Sequence, residues 1–491
     1  MPSTLKTIVT SLLLTVPLFP VLAQRAAINA IRQEDIKRDL YILADDHFRG
    51  REAGTLDELK ASVWLAEQAR KAGLEPAGDD GTYFQFFPLI RERVSDKSTI
   101  AIGNRMFTLW KDVVVYEPVF ADVNDPIVFL DDPATATAER IRGKVVALQF
   151  SDKGINDPRV HIYTRYGAIV VSTWARKLAT LGAKAIIFVS DDLAQKAYPR
   201  ATQYNNRGSY QITGSLFHRQ LLNGVPILWL PKETLDLVRL PGQTLQARIF
   251  SESFTYPSVN VVAKVKGRDA KLSNEYVLFS GHQDHDGIRN LEPGKDSIFN
   301  GADDNASVSV ALLAIGKAFV QQPPRRSALF IWHGSEERGL FGSTWYADNP
   351  TVPRESIVAV LNADMIGANA PDSAALLGVI PPHRSSSDLV NIALEANAKG
   401  PKFKLDTGWD KASHPEGWYF RSDHYPYAKK NIPALFYSSL PHALYHTPAD
   451  ESQTLSIEKI TKFAQWMYLT GIEVANREQR PALEPGFKLE R

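Results

Sequence analysis

Apolar and polar positions follow three successive patterns along this chain. Between residues 31 and 75 apolar residues recur on a polar background. Thr55-Leu56-Asp57-Glu58 has the form of a capping box, in which Thr55 and Glu58 satisfy orphan amides reciprocally. Leu56, Leu59, Val63 and Ala66 follow at helical spacing and Gly73 closes the run, so a helix is predicted here. Arg49-Gly50-Arg51-Glu52-Ala53-Gly54, just ahead of it, reads as a loop.

From about Asp112 the pattern becomes short apolar runs between turn residues. Val113-Val114-Val115, Pro126 to Leu130, Lys144 to Leu148, Ala185 to Val189 and Val225 to Leu230 are predicted strands, and Leu178 to Gly182 reads as a helix end with a glycine cap. The polar, tyrosine-containing stretch 196–222 is expected to be a long surface loop. From Val259 onward apolar strands alternate with helical stretches, the signature of an α/β sheet. The expected organisation is an α/β domain, a mixed central sheet flanked by helices, built from 24–112 and 256–491. A separate β-rich domain, 113–255, is inserted into it.

The first residues form a different kind of segment. Lys6 precedes an apolar stretch from Ile8 to Ala23 that contains Pro17 and Pro20 and ends Val21-Leu22-Ala23. This reads as a secretory signal peptide, 1–23, cut after Ala23. The stretch is short and proline-containing for a bilayer anchor. The mature chain has no other long apolar run. It is therefore expected to be exported, periplasmic or secreted, and bacterial in origin, with no membrane partner after cleavage.

Lys and Arg number 56 and Asp and Glu 55, so the net charge of +1 offers no electrostatic argument for nucleic acid or an anionic membrane. Cysteine is absent, which excludes disulfides, thiolate metal sites and cysteine nucleophiles. Any metal site must be built from Asp, Glu and the 11 histidines.

The acids and histidines fall in an informative place. Val277-Leu278-Phe279 runs into Gly281-His282-Gln283-Asp284-His285-Asp286-Gly287. Ala328 to Trp332 runs into His333-Gly334-Ser335-Glu336-Glu337, and Val358 to Leu361 into Asn362-Ala363-Asp364. Three apolar strands thus deliver His or carboxylate at their carboxyl ends, the edge where open α/β sheets bind ligands. Asp303-Asp304-Asn305 precedes a helix-forming run, Ala306 to Phe319, and Asp and Asn are also good helix caps. Tyr445-His446-Thr447-Pro448-Ala449-Asp450 follows the strand Ala434 to Tyr437. A lone histidine or a Glu-Glu pair is ordinary. Several carboxylates directly after buried strands are costly unless paired or metal-bound, and together they argue for a shared cation.

The strings GHQDHDG, NGADDNAS, GSEERGLFGS, LNADMIG and YHTPAD resemble, in order, five metal-site segments of the co-catalytic dizinc exopeptidases of the bacterial leucyl aminopeptidase and aminopeptidase Y type. The inserted block resembles a protease-associated domain. The resemblance implies the zinc exopeptidase fold and two zinc ions per chain. His282 and Asp364 would bind one ion, Glu337 and His446 the other, and Asp304 would bridge them. Asp284 would hydrogen-bond and orient His282, and Glu336 would be the general base. Tyr445 is a candidate oxyanion donor. His424, in Ser422-Asp423-His424, either lines the substrate pocket or is structural. Val308 stands where the family usually has glycine. His285, Asp286 and Asp303 are extra polar residues expected at the surface or in support of the ligands, and His333, His414 and His442 are expected not to bind metal.

The implied activity is a zinc-dependent aminopeptidase acting on peptides. A zinc carboxypeptidase, a single-zinc glutaminyl cyclase and a non-catalytic peptide-binding homologue are the alternatives. Trp409, Trp418, Tyr419 and Phe420 either form an apolar specificity pocket or simply pack. The inserted domain is expected to gate the site or bind peptide. Nothing in the sequence fixes side-chain preference or oligomeric state.

Overall fold

Four strands made almost wholly of apolar residues form the centre of the larger sheet: Tyr276–His282, Ser327–His333, Ile357–Ala363 and Ala434–Ser438. The computed structural model describes residues 27–161, 163–213, 221–222, 224–289 and 294–489, so the expected signal peptide at 1–23 lies outside the described residues. The four strands are mutually parallel. The Tyr276 strand lies between the Ser327 and Ile357 strands, and the Ala434 strand lies beyond Ile357. Their continuous burial is what a parallel sheet covered on both faces requires.

The helices Gln33–Leu43, Ser307–Gln321 and Ile457–Asn476 supply one cover, in a core that includes Phe279, Phe319, Phe330 and Trp466. The short helices Phe341–Asp348 and His424–Lys429 supply the other, against Leu278, Ile331 and Val360. Antiparallel strands extend the sheet at both sides. Ser251–Val265 pairs with the Ser327 strand and, along its whole outer arm, with Phe84–Val94. Ser373–Leu377 pairs with the Ala434 strand. Among the described residues the result is a mixed sheet of ten strands.

The second sheet has eight strands among the described residues. Ala121–Leu130, Val145–Gln149, Ala185–Val189 and Ile227–Leu230 are parallel neighbours, and the helix Tyr163–Thr180 covers them. The inserted block is thus α/β in character rather than simply β-rich. Its sheet also begins before residue 113, because Thr99–Ile102 pairs with Thr244–Ile249 and Arg105–Phe107 pairs with Thr99–Ile102.

Two other local expectations change. The stretch 196–222 is not a continuous loop. It begins within the helix Asp192–Asn206, which buries Ala194 and Tyr198, and continues into the strand Ser209–Ile212, which joins the larger sheet beside Phe84–Val94. The helix after Thr55 spans Leu56–Lys71, and Thr55 accepts from the amides of Asp57 and Glu58 as a capping residue should. Glu58, however, reaches the amide of Gly54 at 2.7 Å instead of that of Thr55, and its second oxygen accepts from Ser258 Oγ at 2.7 Å. The buried face of this helix is Ala61, Ser62, Leu65, Ala66 and Ala69, while Leu56 and Val63 are 65% and 51% exposed. Small side chains let the helix sit close on the sheet, so the larger aliphatics are turned outward.

Candidate metal centre

The parallel order brings the four carboxyl ends to one edge. His282 ends the first strand, Glu336 and Glu337 follow the second, Asp364 follows the third, and His446 lies in the loop after the fourth. Asp304 comes from the tight turn Ala302–Ala306 ahead of the Ser307–Gln321 helix. His282 Nε2 lies 3.1 Å from Asp304 Oδ1, 3.5 Å from Asp364 Oδ1 and 3.9 Å from Glu336 Oε2. On the other side, His446 Nε2 lies 3.1 Å from Asp304 Oδ2 and 3.3 Å from Glu337 Oε1. Asp304 therefore offers one oxygen to each side. Two ligand-competent sets result, His282 with Glu336 and Asp364, and His285 with Asp304, Glu337 and His446.

Buried polar contacts hold this arrangement. Asp303 is not a helix cap. Its carboxylate accepts from the amides of Ile366, Gly367 and Ala368, which ties the Asp304 turn to the loop after Asp364. Asn305 spans the same gap, donating to Ala363 O and accepting from the Met365 amide. The Asp450 carboxylate accepts from the amides of Asp303 and Asp304. The Asp304–Asn305 peptide is cis.

Asp284 acts differently from the expected orienting carboxylate. His282 Nδ1 donates to the backbone carbonyl of Asp284 at 3.1 Å, whereas the Asp284 carboxylate is 3.8 Å from it. That carboxylate accepts instead from the amides of Glu336 at 3.0 Å and Glu337 at 3.4 Å. With Nδ1 carrying the proton, the lone pair of His282 is on Nε2, the atom that faces Asp304 and Asp364.

Arg51 is a residue that sequence reasoning missed. It is fully buried and donates to the carbonyls of Leu43, Gln283, Asn300 and Gly301. It thereby clamps together the backbones around His282 and Asp304. The only local signal is a charged residue in a glycine-flanked loop.

The electrostatics are those of a site short of positive charge. Burial pushes Asp284 up to about 6 and Asp423 up to about 7, and it pushes Glu336 well above the usual carboxylate range. Burial acts on Glu337 too, but His446 and His285 outweigh it and hold that carboxyl well below its ordinary value. Buried carboxylates in this number need cations. The donor atoms fit a divalent ion: His282 Nε2, Asp364 Oδ1, His285 Nδ1 and Glu337 Oε1 are all buried without a hydrogen-bond partner. A nitrogen and oxygen set of this kind suits zinc among other divalent metals.

The remaining candidates divide. Tyr445 stacks on His446 with ring centroids 3.9 Å apart, and its hydroxyl accepts from Arg421 Nη2 at 3.4 Å. His424 is packed between Phe436 and Tyr419, and burial lowers its pKa to about 3, so it is a neutral ring in an aromatic cluster. His333 bonds to Asn260 and Tyr427, His414 packs on Trp409, and His442 lies beside Asp303, away from both ligand sets. Trp418 and Tyr419 are buried with Met365, Leu377 and Phe436. His285 is the unexpected participant, fully buried within the second set.

Residues 260–470 match the family described as Peptidase family M28. Leucine aminopeptidase 2 of Trichophyton equinum is 28% identical over 180 residues, covering 36% of this chain and 32% of that protein. Aminopeptidase YwaD of Bacillus subtilis (strain 168) is 25% identical over 316 residues, covering 62% of this chain and 60% of that protein. The chain thus spans about a third of the length of the leucine aminopeptidases it matches. Among solved structures, an aminopeptidase from Aneurinibacillus sp. strain AM-1 has a TM-score of 0.60 at 19% identity, covering 94% of this chain and 98% of that one. BSAP, a zinc aminopeptidase from Bacillus subtilis, has a TM-score of 0.59 at 19% identity, covering 91% and 96%. At these identities the structural likeness is one of fold. The sequence match spans the strands that carry both ligand sets, so the part of this chain that resembles peptidase family M28 is the part that builds the candidate metal centre.

Proposed function

We propose that this chain is an exported, zinc-dependent aminopeptidase that removes N-terminal residues from peptides with two metal ions and Glu336 as general base. The observation that carries the reading is the pair of ligand-competent sets on either side of Asp304, whose carboxylate faces His282 and His446, with His282 Nε2, Asp364 Oδ1, His285 Nδ1 and Glu337 Oε1 buried without a hydrogen-bond partner. The relatives' printed names, aminopeptidase and zinc aminopeptidase, support it. On this reading the inserted block, whose sheet begins at Thr99, is a protease-associated domain that gates the site or binds peptide, and the chain on either side of it forms the peptidase unit.

His282 and Asp364 would hold one ion and Glu337 and His446 the other, with Asp304 between them contributing an oxygen to each side. Bound zinc supplies Lewis acidity and acidifies water toward neutral pH. Glu336, beside His282, takes a proton from the attacking water. The water oxygen bonds to the scissile carbonyl carbon, the carbon–nitrogen bond breaks, and the proton passes from Glu336 to the leaving amine. Asp284, through the amides of Glu336 and Glu337, keeps the two adjacent carboxylates in their separate places. Tyr445 is the candidate donor to the oxyanion. A carboxypeptidase needs a free cation for the substrate's terminal carboxylate. Among the guanidiniums near this edge, Arg207, Arg289 and Arg338 pair with Asp286, and Arg421, which reaches the Tyr445 hydroxyl, pairs with Glu416.

The test is hydrolysis of short peptides blocked at one end at a time, read by mass spectrometry with and without chelator. Loss of the first residue only when the amine is free, abolished by chelator and restored by zinc, is the expected result. Loss of the last residue instead makes the enzyme a carboxypeptidase. No cleavage by the zinc-loaded protein points to the cyclase or to a binding protein.

A further inference from the structure

The second ligand set contains one histidine more than the five-segment resemblance supplies. His285 Nδ1 lies 2.7 Å from Glu337 Oε1 and 3.9 Å from Asp304 Oδ2, and its ring meets that of His446 edge-on with centroids 5.4 Å apart. At 2.7 Å a hydrogen bond to Glu337 would be the ordinary explanation, yet the angles do not make one, and both atoms are buried without a partner. Two potential donor atoms this close, both buried and neither hydrogen-bonded in the observed geometry, can be satisfied together by a common third partner.

We infer that His285 Nδ1 is a fourth protein ligand of the cation held by Asp304, Glu337 and His446. This inference rests on the metallopeptidase reading above. The four measured separations among these atoms run from 2.7 to 3.9 Å. They bracket the ~3.4 Å edge of a tetrahedron whose corners lie ~2.05 Å from a zinc ion.

The backbone makes room for the ring. A Cβ on Gly301 would come within 2.4 Å of His285 Cγ and 2.5 Å of Cδ2, and Gly301 has φ +54, where a side chain is disfavoured. Arg51 fixes both walls of this space through the carbonyls of Gln283 and Gly301, and the His285 amide donates to Arg51 O. Nε2 of His285 also has no protein partner, so no hydrogen bond selects the opposite tautomer.

The consequence is an asymmetric centre. The set with His285 is closed by four protein ligands, which is the pattern of tightly retained zinc. The set with His282 and Asp364 keeps the open position, on the side where Glu336 lies.

X-ray absorption of the zinc-loaded wild-type protein tests this without any variant. Three imidazoles per two zinc ions, from His282, His285 and His446, is the expected count. Two imidazoles overturns the inference and leaves the metallopeptidase reading standing. No zinc bound at all overturns both. In a zinc titration of His285→Ala and His285→Asn, each checked for folding by circular dichroism, one binding step weakens by at least ~10–100-fold and the other keeps its affinity. Both steps unchanged in the folded variants would also overturn it.

Discussion

Glu336 and Glu337 are adjacent in the chain and opposite in environment. Burial acts on both, but two histidines draw Glu337 into its charged form, while for Glu336 burial, opposed by His282 and reinforced by Glu337 and Asp364, raises its affinity for a proton. One is thereby suited to bind a cation and the other to carry a proton. Glu336→Gln is expected to lower kcat by ~10²–10⁴-fold while zinc content stays at the wild-type value. Loss of zinc in the same variant would make Glu336 a ligand instead. Glu58 is a second informative carboxyl, outside the ligand sets. Burial, with Asp284 adding to it, pushes Glu58 up to about 8 from an ordinary 4.5, against hydrogen bonds from Ser258 and Gly54. The folded protein therefore keeps a proton that the unfolded chain releases, and between those two values this group makes stability fall as pH rises. Glu58→Gln should flatten that slope. Urea midpoints at about pH 5.5 and about pH 8 measure it, and an identical pH dependence in wild type and variant would refute the assignment.

At the scale of elements, the site depends on how closely the Tyr276–His282 strand lies against the Ser307–Gln321 helix. A Cβ on Gly281 would stand 2.5 Å from Val308 Cγ1 and 3.1 Å from Ala363 O. Val308, where the family usually has glycine, is fully buried and fills the space that Gly281 leaves. Gly281→Ala should cost ~1–3 kcal/mol through overpacking. Val308→Ala should cost roughly 1 kcal/mol by opening a cavity. The double variant should be less destabilised than the sum, because the alanine methyl occupies the vacated space. Denaturant melts of the four proteins decide this, and strict additivity would mean that the two side chains do not share the volume.

At the scale of the molecule, the two sheets are joined beside the metal centre. Arg207 follows the Asp192–Asn206 helix of the inserted block and precedes the strand Ser209–Ile212, which pairs into the larger sheet. It donates to the Asp286 carboxylate at 3.0 Å and to the Asp286 carbonyl at 2.9 Å. Burial lowers its pKa to about 10, so it stays charged at neutral pH. Asp286 also faces Arg338 at 3.2 Å and His446 Nδ1 at 3.7 Å. Arg207→Ala is expected to cost about 1–3 kcal/mol, since a buried acceptor loses one charged partner but keeps Arg289 and Arg338. Hydrogen exchange should quicken in 207–212 and 286–289 with zinc content unchanged. Exchange confined to the inserted block would show that the two sheets are not coupled through this pair.

The parallel core strands, and the acids and histidines at their carboxyl ends, were legible in the sequence, because a strand buried on both faces must be an unbroken apolar run. His282, Glu336, Glu337 and Asp364 stand out for the same local reason: a charge directly after such a run needs a partner. The helix Asp192–Asn206 was not legible, since it is polar, contains Pro199 and shows its buried Ala194 and Tyr198 only against the second core. Nor was the facing of the Leu56–Lys71 helix, whose apolar spacing fits two faces and whose small-residue face was chosen by the sheet beneath it. Thr99–Ile102 belongs to the second sheet because Thr244–Ile249, far along the chain, offers it an edge. Arg51 and His285 are the clearest cases. Each looks like an ordinary polar residue in a loop, and each acquires its role from groups distant in sequence: four carbonyls for Arg51, Asp304, Glu337 and His446 for His285. Periodicity and the cost of burying charge act along the local chain and can be read there. Which loop supplies the partner for a buried charge is decided only when the sheet order brings the loops to one edge.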